Sequence, residues 1–178
     1  MSVTLRDAKR SPEDQSWIQA AYPAYLEELA SVTHSGTGVF PIFGEHGARE
    51  GELLARWFRD DRSHPVVILA SGHPAGFALV SRPLIQPTGK DSVAFRMAEF
   101  YIEKSHRRRG VGRIAAILLF SRFAGQWEVV EATANSAAIE FWRRTVMAHT
   151  NGRYEERVRN GEVRQRFLSS NSPGLGRA

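Results

Sequence analysis

Two stretches of this chain combine residue types that do chemistry. The first is Arg107-Arg108-Arg109-Gly110-Val111-Gly112-Arg113, with a strand-like apolar run before it and a helix-like apolar run, Ile114 to Phe120, after it. Glycines at 110 and 112 let the backbone turn tightly and leave its amides uncovered, while the following helix turns its positive end into the same space. Such a turn can hold a pyrophosphate, and the arginines add attraction without all touching the anion. A side chain at Gly110 is expected to crowd it. The phosphate signatures with longer glycine spacing do not fit: GxxxxGK[ST] is missing, and GxGxxG fails at Ala115. A tight strand-to-helix connection carrying a solvated basic run is the plain alternative.

The second stretch is Ala98-Glu99-Phe100-Tyr101-Ile102, where one carboxylate sits in an apolar strand. That placement is costly unless Glu99 has a partner, such as Arg96 or another arginine, or a proton-transfer task. Other chemistries find no residues. Cysteine is absent, which removes disulfides, thiol nucleophiles and Fe–S clusters, and the six histidines show no ligand spacing, so no metal is expected. Nor is there a GxSxG elbow for hydrolysis.

The elements that must position these residues follow from periodicity. Val3 to Ala8 reads as a first strand. Ser11-Pro12-Glu13-Asp14 opens a helix with a cap, a first-turn proline and favourable carboxylates, and Pro23 is expected to kink or split it. Ser31 to Gly47, with four glycines, reads as a long loop, and Arg49 to Asp60 as a second helix. Val66 to Ala70 and Phe77 to Val80 form a hairpin around SGHPAG, Pro83 to Asp91 is a loop, and Val93 to Ile102 is a third strong strand. A helix from Gly112 to about Phe123, a strand from Gln126 to Ala132, and a helix capped by Asn135 come next. Tyr154 to Arg159 and Glu162 to Leu168 flank Asn160-Gly161, a strong two-residue hairpin signal. This order implies an α/β fold with mixed sheet connectivity in one domain, residues 1–168, and a disordered tail over 169–178.

With 178 residues the chain is long enough to bury a core, and 42% hydrophobic against 24% charged residues is a globular balance. The formal charge of +5 comes from 24 basic and 19 acidic residues, 21 of the basic ones arginine, which favours anionic ligands. The longest apolar run, Ile114 to Phe120, is far below the roughly 20 residues of a bilayer span, and the N-terminus has no signal core. A cytoplasmic address without membrane contact is expected.

Arg107-x-x-Gly110-x-Gly112 resembles the (Arg/Gln)-x-x-Gly-x-(Gly/Ala) signature of the GCN5-related N-acetyltransferases (GNAT). Asn135-Ser-Ala-Ala-Ile-Glu-Phe-Trp142 resembles that family's second motif. The likeness is specific over about Ala98 to Arg144. It implies a mixed, twisted sheet with splayed central strands, flanked by about four helices, with acetyl-CoA as co-substrate in the opening and no metal. It also implies that the backbone amides of Arg109, Gly110, Val111, Gly112 and Arg113 hold the pyrophosphate, with Arg107 among the cofactor-binding residues. The backbone of Phe100, Tyr101 and Ile102 would pair with the pantetheine arm, and Asn135 would contact the cofactor as well as capping its helix.

The implied activity is acetyl transfer to a primary amine of a small molecule or protein, by direct attack in a ternary complex. Aminolysis of a thioester needs a proton removed from the amine and help for the leaving thiolate. The resemblance implies Glu99 as base. Many members place a tyrosine acid where this chain has Trp142, which cannot serve as a proton source. Solvent, Tyr101 or Tyr154 would then supply the proton. The acceptor is expected between the first helices and the C-terminal hairpin, with Tyr22, Tyr25, Phe40 and Phe43 as wall candidates. A homodimer is compatible with such a chain. Two other readings stand beside this one: a catalytically silent CoA-binding protein, and a basic nucleic-acid-binding module built on Arg153, Arg157, Arg159, Arg164 and Arg166. Against the latter, Glu155, Glu156 and Glu162 interrupt the basic field and no interleaved aromatic stripe exists.

Overall fold

In the computed structural model, residues 1–33, 50–84 and 92–170 are described. Strand β1 spans Val3–Asp7 and runs through a short 3-10 turn into helix α1, Pro12–Thr33. Helix α2 is Glu50–Arg59, followed by β2, Ser63–Ala70, and β3, His73–Ser81. Then come β4 at Phe95–Ile102, α3 at Val111–Arg122, β5 at Gly125–Ala132 and α4 at Ser136–Thr150. The chain closes with β6, Glu155–Arg159, and β7, Glu162–Ser169.

Several boundaries differ from the sequence reading. Helix α1 continues through Pro23 instead of splitting there. Pro23 and Gln19, whose carbonyl loses its helical donor, both face solvent, so water can satisfy the group. The hairpin between β2 and β3 turns on Ser71-Gly72 alone, both with positive φ (50° and 85°), and Pro74 lies inside β3. Ser169, expected in the tail, is the last residue of β7. It is buried and donates to the Phe120 carbonyl at 2.8 Å. Residues 171–178 of that tail, and the long loop from 34, lie outside the described residues.

The seven strands form one sheet in the order β1-β2-β3-β4-β5-β7-β6, antiparallel throughout except for β4 against β5. Two cores sit on its two faces. Trp127, Phe120, Phe167 and Trp142 pack under α3 and α4. Ile18, Leu54, Trp57, Phe77 and Tyr101 pack under α1 and α2. The expected Asn160-Gly161 turn joins β6 and β7, with φ of 52° and 76° at the two residues.

The parallel pairing of β4 and β5 is short: Phe95 with Trp127, Arg96 with Glu128, Met97 with Val129. Beyond it the strands part. On its other edge β4 carries a bulge, because Val80 faces Met97 while Leu79 faces Glu99, leaving Ala98 extra. Alternation from Met97 would have sent Glu99 into the core under α3. The bulge turns it to the opposite face, toward α1, as bulges re-aim side chains beside functional sites.

Candidate active site

A cavity of about 690 Å³ opens where β4 and β5 separate. One wall is β4 from Arg96 to Ile102, the other Val130-Glu131-Ala132 of β5, with the start of α4 behind it and the Arg107 to Arg113 turn at one end. Glu99 and Tyr25, Phe100, Tyr101 and Ile102, Arg107, Gly110, Gly112, Arg113 and Asn135 all line it. Arg109 and Val111, expected to offer their backbone amides, bring no side chain into the lining, and Tyr22, expected as a wall residue, does not line it. Val111 is 1% exposed and belongs to the core, so only its backbone faces the turn, and the side chain of Arg109 lies outside the lining. Tyr22 is buried in the core under α1. Phe40 and Phe43 lie outside the described residues.

The anion turn is built by conformation. Arg108 and Gly110 both take positive φ, 60° and 81°. A Cβ built on Gly110 meets nothing within 4 Å, which corrects the expectation of crowding: the glycine answers a left-handed φ, which L side chains rarely adopt. Gly112 is the crowded one, since its Cβ would touch Ile102 Cγ1 and Phe141 Cε2, each at 3.4 Å. The first bond of α3 runs from the Ile114 amide to the Gly110 carbonyl at 3.0 Å. By helix geometry the amides of Val111, Gly112 and Arg113 therefore lack intrahelical acceptors and point off the helix end, where the dipole is positive.

Arg107 does a different job from its neighbours. Its Nε donates to the Ile102 carbonyl at 2.6 Å, an Nη donates to Glu28 at 2.8 Å, and the guanidinium lies 5.5 Å from the Tyr101 ring centroid. It ties the end of β4, helix α1 and the turn into one frame, while Arg108 and Arg113 present exposed side chains.

Glu99 is 4% exposed and accepts a hydrogen bond from the Tyr25 hydroxyl. Arg96, the partner considered from sequence, pairs instead with Glu128 at 2.5 Å. Burial pushes the Glu99 carboxyl up to about 7; the Tyr25 donor pulls it down in part, and the charge of Glu131 adds to the rise. Tyr25 is held well above the usual tyrosine range by burial and by the Glu99 charge, so it stays a donor. Its ring packs edge-on against Phe77 and Tyr101 at 5.6 and 5.8 Å.

Glu131 is the residue that sequence reading missed. It faces the α4 side, where Trp142 Nε1 donates to it at 3.0 Å and Asn135 Nδ2 at 3.4 Å. Burial lifts this carboxyl to about 7 as well, against the pull of those two donors. The signal available in the sequence was the same as for Glu99, a carboxylate within an apolar strand, Val129-Val130-Glu131-Ala132. Asn135 also accepts the Ala138 amide at 3.3 Å, so it caps α4 and orients Glu131 together. Two carboxyls poised near neutrality thus line one opening. Glu99 is anchored on the α1 side and Glu131 on the α4 side, an arrangement able to take one proton and give another.

Among the described residues, no group of three acidic or histidine side chains is placed to hold a metal, and no helix is long and apolar enough to cross a membrane.

An acetyltransferase from Thermus thermophilus superposes with a TM-score of 0.64 at 13% identity, covering 94% of this chain and 97% of its own. The structure of yncA from Salmonella typhimurium with its cofactor acetyl-CoA gives 0.60 at 14%, covering both chains in full. Spermidine N-acetyltransferase from Vibrio cholerae, in complex with CoA and spermine, gives 0.60 at 13%, covering 95% of this chain and 96% of that one. No curated protein matches the sequence significantly. The profile of the Acetyltransferase (GNAT) family matches residues 17–146, from the first turns of α1 through the parted strands and the anion turn to α4. The chain therefore belongs to the GNAT acetyltransferase family.

Proposed function

We propose that this chain transfers an acetyl group from acetyl-CoA to the nitrogen of an amine, by direct attack with both substrates bound. The observation that carries this reading is Glu99, a buried carboxyl poised near neutrality on the lip of the β4–β5 opening, next to a turn made for an anion. The residues present fit the co-substrate. Amides at 111–113 without intrahelical acceptors, a left-handed glycine at 110 and two exposed arginines suit a diphosphate. The β4 backbone from Phe100 to Ile102, past the end of the parallel pairing, suits an extended amide-bearing arm. Arg107 acts here by fixing the frame, and Asn135 by orienting Glu131.

When bound, acetyl-CoA supplies a thioester carbonyl carbon. Glu99, as carboxylate, takes the proton that the amine sheds as the C–N bond forms. Glu131, as carboxylic acid, gives a proton to sulfur as the C–S bond breaks, a task Trp142 cannot perform. Trp142 and Asn135 hold Glu131 in place, and Tyr25 holds Glu99. One proton enters at Glu99 and one leaves from Glu131, so the pair is reset by a single exchange with solvent.

Calorimetry with acetyl-CoA and a free-thiol assay over an amine panel test the reading. Binding is expected, as is thiol release that depends on the amine. Glu99→Gln should lower turnover and flatten its rise with pH while leaving cofactor affinity nearly intact. Unchanged rates would remove Glu99 from the mechanism, and binding without release from any amine would favour the silent CoA-binding reading.

A further inference from the structure

The sheet face that carries Glu99 also carries a set of arginines that the proposed chemistry leaves unused. On β3, Ser81 and Leu79 lie two apart and oppose Arg96 and Glu99, so those two β4 residues share a face. Across the parallel pairing Arg96 opposes Glu128, which opposes Arg166 on β7. Arg164 opposes Val130 on one side and Arg157 on the other, and Arg159 opposes Glu162. One face of β4, β5, β7 and β6 thus presents five arginines against Glu128, Glu155 and Glu162.

At the centre, Glu128 is fully buried and shared by three guanidiniums. Arg96 donates from Nε and an Nη at 2.9 and 2.5 Å, Arg166 from Nε at 2.9 Å, and Arg164 approaches to 3.5 Å. Burial alone would lift this carboxyl, but Arg96 and Arg166 hold it below the ordinary range. Glu162 takes the other end of Arg164 at 2.5 Å. Guanidiniums carry five N–H donors each, and the five arginines of this face outnumber its glutamates even when Glu99 is counted as ionised with Glu128, Glu155 and Glu162, so positive charge is in surplus. Glu128 is the buried post that aims these forks. Arg96 and Arg164 are 25% and 39% exposed and line the cavity that contains Glu99. A groove of about 320 Å³ continues from them along the hairpin, lined by Arg157, Arg159, Arg164 and Arg166 among others.

We infer that the acceptor is an amine that also bears a carboxylate or a phosphate, its nitrogen meeting Glu99 and its anionic group held by Arg96 and Arg164. This rests on the reading of Glu99 given above. The geometry separates the two ends in the right sense: Arg96 precedes Glu99 by three residues on one strand, roughly 10 Å at about 3.3 Å per residue. Charge separates acceptor classes as well. A purely cationic polyamine would gain at Glu99 but meet a surplus of guanidinium beyond it. An amine with an anionic tail gains at both ends, and the planar forks match carboxylate and phosphate oxygens in pairs.

The test uses matched amines at saturating acetyl-CoA with thiol release as readout: lysine against cadaverine for a carboxylate, O-phosphoethanolamine against ethanolamine for a phosphate. The anionic member of at least one pair should show a kcat/KM about ten-fold or more above its partner, and the pair that does so tells carboxylate from phosphate. Arg164→Gln should cut that preference by roughly ten- to a hundred-fold, the effect of losing a hydrogen bond to a charged group. Equal rates within both pairs, a preference for the uncharged members, or a preference that survives Arg164→Gln would overturn the inference. Should acetyl-CoA bind while no amine releases thiol, amine acetylation itself fails, and titration of the same amines into CoA-saturated protein still decides the acceptor class. Tighter binding of an anionic member, lost in Arg164→Gln, upholds it; no difference overturns it.

Discussion

Replacing Tyr25 by phenylalanine removes one hydroxyl and little else. The ring keeps its edge contacts with Phe77 and Tyr101, while Glu99 loses the donor that favours its ionised form. A hydrogen bond to a charged group is worth about 1.5–3 kcal/mol, and each pKa unit corresponds to about 1.4 kcal/mol, so the Glu99 carboxyl should rise by roughly one to two units. Starting from about 7, it moves to a range where the carboxylate is the minor form at neutral pH. If Glu99 is the base, turnover at pH 7 falls by roughly five- to fifty-fold in Tyr25→Phe and recovers as pH rises. The assay is kcat/KM for one amine from about pH 5.5 to 9.5 in both proteins, so that the amine's own ionisation cancels in the comparison. An acidic limb at the same pH in both would refute the reasoning, because either Tyr25 does not tune Glu99 or Glu99 does not set that limb.

Three further outcomes follow from the geometry. A Cβ on Gly76 would lie 2.2 Å from the Tyr101 carbonyl oxygen, so Gly76→Ala must displace the end of β4; we expect a loss of about 1–3 kcal/mol in denaturant unfolding together with weaker CoA binding, and wild-type values for both would disprove the close approach. Gly110→Ala should cost about 1–2 kcal/mol through φ alone, with Gly110→Asn costing less; a larger loss for asparagine would point to crowding after all. For Glu131 the folded carboxyl is raised from an ordinary 4.5 to about 7, so the folded state binds more protons and stability declines as pH rises through that window. Glu131→Gln should therefore melt like the parent near pH 5 but be more stable near pH 8, by up to about 3 kcal/mol, and a difference that is absent or inverted would show that the carboxyl is not strained by burial.

Local rules carried much of this molecule. The side-chain cap of α4 by Asn135 and the left-handed conformations of Gly110 and of the Asn160-Gly161 turn are all short-range features. Glu99 stood out because a carboxylate breaks the apolar run of β4. What sequence could not show was non-local. The bulge at Ala98 depends on the register between β3 and β4, and only that register reveals which face Glu99 takes. Arg96 turned to Glu128, 32 residues away, because their strands run parallel side by side, a pairing no spacing rule foretells. The importance of Glu131 is hidden for a related reason: it comes from lining the same opening as Glu99, between strands distant in sequence. Pro23 misled because the penalty for a mid-helix proline depends on whether the orphaned carbonyl reaches water.

The brief pairing of β4 with β5 leaves a seam inside the protein where peptide groups of two neighbouring strands go without each other. Such a seam is an edge turned inward, open to any extended chain that can hydrogen-bond along it. A nucleotide thioester that filled it, as proposed above, would act as a removable eighth strand, and a hundred-fold excess over its dissociation constant would add about 2.7 kcal/mol to folding stability. The abundance of the acyl carrier would then govern how long each molecule survives as well as how fast it works, and a starved cell would lose the catalyst along with the reagent.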